Sequence, residues 1–355
     1  MRLNESNSPP IPPDPGPTPG SYLNKRLAVI IFVTCIALII AVAAVAAAWT
    51  VSSGKGGDYT REEADLYYVP GPVVQNIQFS MTYTCELSGE NSRFELISII
   101  PRTIDRRQEV SISYNPQPFE VFDDGETRYA RFVVENPEDD FQITISGSAA
   151  IHRYDLAIAR SMENPAPATS LEKYLVDEMF IEKDSKEVQE AAGEIPGEND
   201  IDMVENIYAF IADEFLYDEY TVKGAGAATA LSNEGGTCSD YADAMVAVCR
   251  AKGIAAKTAY GIVIDKSMQG EEFLDYLHMW VEVYLQDYGW VPFDPVLGEW
   301  GMDFFDKSYP DLLRFSDVRN DLNLAWDYFY NYYQTGDPVE VTWSCEINAS
   351  EPLIP

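Results

Sequence analysis

Few side chains in this chain can do covalent chemistry, and their spacing lets three of them meet. Among 355 residues there are five cysteines and two histidines. Cys238 stands in the run Gly235-Gly236-Thr237-Cys238-Ser239-Asp240-Tyr241-Ala242, where a glycine turn leads into Tyr241, Ala242, Met245, Val246 and Cys249 at helical spacing. The spacing predicts an amphipathic helix over 238–252, ended by Gly253. A thiol on the first turn of a helix lies among N–H groups without intrahelical partners and at the positive end of the dipole. Both favour thiolate over thiol. A base for such a nucleophile must be His152 or His278.

The second histidine falls where it is wanted. In 277–285, His278, Trp280, Glu282 and Tyr284 alternate with Met279, Val281, Val283 and Leu285, the period of a strand. The turn Gln286-Asp287-Tyr288-Gly289 follows, then a strand over 290–294 stopped by Pro295, so the two form a hairpin after an earlier strand at 255–264. A hairpin sets the start of its first strand beside the end of its second, which makes His278 and Asp294 neighbours, although a bulge could shift them by a residue. In a Cys238, His278, Asp294 set the thiolate attacks a carbonyl and the imidazole takes and returns the proton. The carboxylate fixes tautomer and orientation, and the Cys238 N–H is a natural oxyanion donor. His152, on a strand far upstream, is read as structural.

Four blocks in this order resemble the transglutaminase-like superfamily: Gly236 to Ala242, Arg250 to Lys257, His278 to Tyr284, and Gly289-Trp290-Val291-Pro292-Phe293-Asp294-Pro295. The resemblance covers about 171–296 and implies a papain-like cysteine fold with Cys238, His278 and Asp294 in the triad positions. It implies a peptidase, an amidase or an acyl-transferring transglutaminase, without choosing among them. A further oxyanion donor upstream of the cysteine has no clear motif match. Tyr217 is a candidate and a packing aromatic is its other reading. Asp240 is expected to serve the helix start.

The elements that must position these residues follow from the rest of the chain. Residues 1–26 form a Pro-rich tail, and 27–49 are apolar and uncharged over a length that can span a bilayer. Lys25 and Arg26 precede the run while Asp58, Glu62 and Glu63 follow it, so the N-terminus is expected in the cytoplasm and the remainder outside. The run is longer than a signal core, which favours an uncleaved anchor over cleavage near Ala46-Ala47-Ala48. After a spacer (50–71), short alternating segments separated by turn signals predict an all-β, Ig-like sandwich over 72–160. A linker (161–170), a catalytic core (171–300) and an aromatic-rich extension packing on the core (301–355) complete an α+β chain.

Composition narrows the partners. The 24 basic and 58 acidic residues give a formal charge of -34, which argues against nucleic acid. No cysteine spacing suits zinc, no loop fits calcium, and no cofactor motif occurs, so no metal or cofactor is expected. Cys249 lies about 16 Å along the helix from Cys238, too far to bridge it. Cys85 and Cys345 could pair across domains in an oxidising exterior, and Asn348-Ala349-Ser350 is a glycosylation sequon. The leading expectation is a membrane-anchored, extracytoplasmic cysteine hydrolase acting on peptide or side-chain amides through an acyl-thioester. Acyl transfer that cross-links surface proteins is the second, and a non-enzymatic surface or adhesion scaffold the third.

Overall fold

Alternating apolar and polar residues make the N-terminal half a set of strands, and a change to helical spacing makes the middle a helical layer. The computed structural model describes residues 74–152, 170–218, 225–264, 269–272, 277–286, 288–299, 311–324 and 329–350, all in the unit Pro70–Pro355. The tail, the apolar run 27–49, the spacer and most of the linker lie outside these residues. Among the described residues no helix is long and apolar enough to cross a membrane.

In chain order come β1 (Val74–Leu87), β2 (Asn91–Ile100), β3 (Gln108–Asn115), β4 (Glu120–Asp124), β5 (Thr127–Glu135) and β6 (Phe141–His152). Then follow α1 (Lys186–Glu194), α2 (Asp200–Glu214), β7 (Leu216–Tyr217), α3 (Ala227–Asn233), β8 (Gly235–Gly236) and α4 (Cys238–Ala251). The chain continues through β9 (Ala256–Ile264), β10 (Gln269–Glu272), β11 (Leu277–Leu285), β12 (Gly289–Phe293) and α5 (Pro295–Glu299). It finishes with β13 (Asp311–Ser316), β14 (Tyr330–Gly336) and β15 (Val339–Ala349).

Two sheets, ordered β10-β15-β1-β6-β3 and β14-β2-β5-β4, face each other as a sandwich. Strand alternation puts Met81, Tyr83, Ile143, Ile145 and Ile347 inside from the first sheet, where they share a core with Phe94, Leu96 and Phe132 of the second. Rings interlock across the layer, Tyr83 with Tyr330 at 5.0 Å and Phe94 with Phe141 at 5.3 Å. The outward faces carry polar side chains such as Gln78, Ser148 and the exposed Asn348 of the sequon.

The extension 301–355 does not pack on the core as a whole, which corrects the expected division. Among its described residues β13 pairs with β9, and Arg319 and Phe329 reach Asp243 and Tyr260 of the core. β14 pairs with β2, and β15 pairs with β1 from Ile77–Ala349 to Leu87–Val339. Val339, Cys345, Ile347 and Ala349 alternate inward on β15, and only the sandwich offers an open β1 edge and an apolar interior to receive them. The same register rules out the Cys85–Cys345 disulfide. Cys345 lies opposite Met81 and Cys85 opposite Val341, four positions apart or about 13 Å along the strand, and both are buried and in no disulfide.

Upstream of the core helices the chain makes a single 3-10 turn, Leu171–Tyr174. Its continuation bends and turns back, with Glu178 bridged to Ile181, while Arg250 donates to the Val176 carbonyl and the Glu178 carboxylate.

In the core, α4 lies against the sheet β12-β11-β9-β13 with α1, α2 and α3 on its other sides. The expected amphipathic helix is therefore buried all round, from Ser239 to Arg250. Its polar residues survive burial through partners. Arg319 donates Nε and Nη2 to the two carboxylate oxygens of Asp243 at 2.8 and 2.9 Å and stacks on Phe180. Arg250 donates to the carbonyls of Ala256 and Val176 and to Glu178.

Candidate active site

Cys238 owes its position to the two glycines before it. At Gly235 a Cβ would stand 2.2 Å from the Leu216 carbonyl oxygen, and at Gly236 it would stand 2.6 Å from Asp240 Oδ2. Their φ values of 157° and 146° also suit glycine alone. The chain can thus press against β7 in a parallel pair, Leu216 beside Gly235 and Tyr217 beside Gly236, and turn straight into α4.

Asp240 anchors this turn. Its carboxylate accepts from the Thr237 N–H (2.8 Å), the Thr237 hydroxyl (2.9 Å) and the Ala225 N–H (3.2 Å), with the capping-box pattern at the helix start. Of the four cysteines among the described residues, Cys85, Cys249 and Cys345 are buried and Cys238 is partly accessible.

The hairpin supplies the other two residues. β11 and β12 pair with Val281 opposite Phe293 and no bulge. Continued by one residue, that register sets Asp294 opposite Trp280, on the diagonal from His278 on the same side of the sheet. His278 Nε2 and Asp294 Oδ2 are 2.6 Å apart. Asp294 is buried, and its Oδ1 accepts from the Leu297 N–H at 3.3 Å, so the carboxylate also caps α5 and has little freedom to turn.

On the other side of β11, His278 pairs with Gly261 of β9. A Cβ at Gly261 would stand 2.0 Å from the Leu313 carbonyl oxygen of β13.

With Nε2 given to Asp294, Nδ1 is the imidazole nitrogen left for the thiol. Burial by itself pulls the His278 pKa down. The charge and hydrogen bond of Asp294, then the hydrogen bond and charge of Cys238, outweigh it and raise the value to about 10. The imidazole is thus held as its cation between a carboxylate and a sulfur.

The structure brings Cys238, His278 and Asp294 together and leaves His152 apart. His152 ends β6, with Nε2 3.7 Å from Glu109. Tyr217, the candidate oxyanion donor, stands beside Gly236, with its ring 6.3 Å from that of Tyr241 and 39% of its surface exposed. Asp243 and Arg319, which brace the helix from within, were not apparent from sequence because their partnership spans 76 positions. Among the described residues no group of three or more His, Cys, Asp or Glu could hold a metal ion.

Cys238 thus stands at a helix start and faces a histidine–aspartate pair on a hairpin. Residues 189–295, which contain all three, match the transglutaminase-like superfamily. A candidate cysteine protease from Cytophaga hutchinsonii has a similar structure, with a TM-score of 0.52 at 17% identity over 78% of this chain and 91% of that one. The periplasmic domain of TgpA from Pseudomonas aeruginosa, bound to ethylmercury, aligns with a TM-score of 0.29 at 15% identity over 64% of this chain and 91% of that one. No curated protein sequence matches the chain.

Proposed function

We propose that the protein is a cysteine hydrolase that cleaves peptide or side-chain amide bonds through an acyl-thioester on Cys238. The observation that carries this reading is the 2.6 Å His278–Asp294 contact beside a thiol at the start of a buried helix. Cys238 Sγ attacks the amide carbon, and the carbonyl oxygen takes up negative charge near the N-terminus of α4, where the Cys238 N–H is a donor. His278 then protonates the leaving amine, the C–N bond breaks, and the acyl group remains on sulfur. Water, deprotonated by the now neutral His278, releases the acid and restores the thiolate. Asp294 keeps Nε2–H occupied and the ring oriented throughout.

In the cell we place this site outside a membrane, anchored by the apolar run 27–49 with the N-terminus cytoplasmic, acting on protein or peptide. Turnover of a quenched peptide library and of glutamine-bearing protein by the full chain and by Cys238→Ala tests the reading. Cleavage or ammonia release lost in the variant is the expected result. Incorporation of a tagged amine in preference to water would identify acyl transfer instead. Turnover that survives Cys238→Ala would remove Cys238 from the chemistry.

A further inference from the structure

The sandwich touches the core at the strands that position His278 and Asp294, through polar, directional contacts that are buried or part-buried. Edge strand β3 is preceded by Arg107, whose Nη2 donates to the Trp290 carbonyl at 2.6 Å. Trp290 lies on β12, four residues before Asp294. The next residue, Gln108, is fully buried and clamps the backbone of β13 with both ends of its amide. Its Oε1 accepts from the Arg314 N–H at 2.9 Å and its Nε2 donates to the Arg314 carbonyl at 2.8 Å.

Arg314 in turn donates Nη1 to Glu282 at 2.8 Å. Glu282 is on β11, four residues after His278 and on the same side of the strand. A third contact starts from Glu126, in the turn between β4 and β5. Its Oε2 accepts from Lys257 Nζ at 2.8 Å, and the same ammonium reaches Asp317 at 2.8 Å and Glu282 at 3.7 Å. Lys257 is boxed by the Trp290 ring at 4.5 Å and the Tyr174 ring at 5.3 Å. The segment leading to His278 is tied as well, since β10 pairs with β15 of the sandwich and not with the core sheet.

A domain that served only to present the core or to bind elsewhere would need none of this convergence. Charges desolvated at a seam cost free energy unless their geometry is fixed, so such a cluster holds its strands in one arrangement. From these contacts we infer that the sandwich is a positioning part of the thiol site: Arg107, Gln108 and Glu126 hold the hairpin that sets His278 and Asp294 against Cys238. The inference rests on the triad reading above. None of the three touches a reacting atom; each acts through β11, β12 or β13. Displacement of a catalytic group by about 1 Å costs on the order of 100-fold in rate, so a slack hairpin has a measurable consequence.

The test needs no known substrate. The rate at which iodoacetamide alkylates Cys238 in the full chain, followed by mass spectrometry against pH, reports the sulfur–imidazolium pairing. In Arg107→Ala the rate at pH 6 should fall about tenfold and the acidic limb of the profile should move to higher pH. Arg107→Lys, which can still donate to the Trp290 carbonyl, should recover most of the loss. Glu126→Gln, which keeps shape and removes charge, should act in the same direction and serves if Arg107→Ala fails to fold. Tyr83→Phe breaks the 2.8 Å Tyr83–Ser98 hydroxyl contact inside the sandwich, away from the seam. It should lower the melting temperature and leave the profile in place.

Profiles of Arg107→Ala and Glu126→Gln that superimpose on the parent would overturn the inference. An equal shift in Tyr83→Phe would also overturn it, since general loosening would then suffice. If His278→Ala in the parent leaves the profile unmoved, it is the triad reading that fails.

Discussion

At the scale of single residues, the imidazole of His278 is the group on which the site's chemistry and its pH behaviour both turn. Its pKa is raised to about 10, against a burial effect that alone would lower it, because Asp294 and Cys238 both favour the cation. Folding therefore favours the protonated ring. The stability this contributes is complete below the unfolded value of about 6.5 and is lost as pH rises through about 10. Melting temperatures between pH 8 and pH 11 should fall more steeply for the parent than for His278→Gln. Asp294→Asn removes the leading cause of the shift, so the ring should titrate nearer 6.5 by NMR, and turnover should drop on the order of 100- to 10,000-fold. A ring that still titrates near 10 in that variant would detach Asp294 from the pair. Cys249 and Cys85 have thiols pushed up to about 12 by burial. Iodoacetamide at pH 6 should accordingly mark Cys238 far ahead of either, and equal labelling would count against a primed thiol.

At the scale of elements, the start of α4 depends on one carboxylate serving three donors. Asp240→Ala leaves the N–H groups of Thr237 and Ala225 and the Thr237 hydroxyl without it, and should cost about 1–2 kcal/mol by denaturant melts. A loss within a few tenths would mean that the glycine turn holds the helix start unaided. This element was legible in the sequence, as was the β11–β12 hairpin, because both are written in neighbouring residues: glycines before a helical stripe, and alternation broken by a turn and a proline. The pairing of His278 with Asp294 was foreseeable to within a residue for the same reason, and an unbulged register made it so. What could not be read depends on distant partners. The burial of α4 on every side was hidden because Asp243 and Arg250 look like a solvent face until Arg319 and Glu178 are set beside them. β15 looked like part of the core extension because nothing local in Val339 to Ala349 says that its edge belongs to β1. Lys257, likewise an ordinary strand residue in sequence, stands in a box of Glu126, Asp317 and Glu282 with aromatic walls. Lys257→Ala takes the ammonium from Asp317 and leaves Glu282 and Glu126 to Arg314 alone, and should cost about 3–5 kcal/mol.

At the scale of the whole molecule, two electrostatic regimes coexist, and salt separates them. The chain carries a formal charge of -34, and most of its acidic side chains have no cation to meet, since 58 acidic residues face 24 basic ones. Repulsion among exposed carboxylates opposes the compact state and is reduced when the Debye length shrinks from about 10 Å at 0.1 M salt to about 3 Å at 1 M. The seam between sandwich and core follows the other rule. Lys257, Glu282, Arg314 and Asp317 are buried, and ions in solution cannot enter to screen them. Raising potassium chloride from 0.05 M to 2 M should therefore raise the melting temperature of the full chain. The deficit of Lys257→Ala relative to the parent should stay nearly constant across that range. A melting temperature that falls with salt would mean that exposed ion pairs such as Arg128–Asp123 and Arg131–Glu120 outweigh the net repulsion. A Lys257→Ala deficit that closes with salt would mean that the seam is open to solvent, in which case the hold of the sandwich on the His278–Asp294 hairpin would weaken under the same conditions. Thermal melts of both proteins across the salt series, read beside the alkylation profile of Cys238, decide between these outcomes.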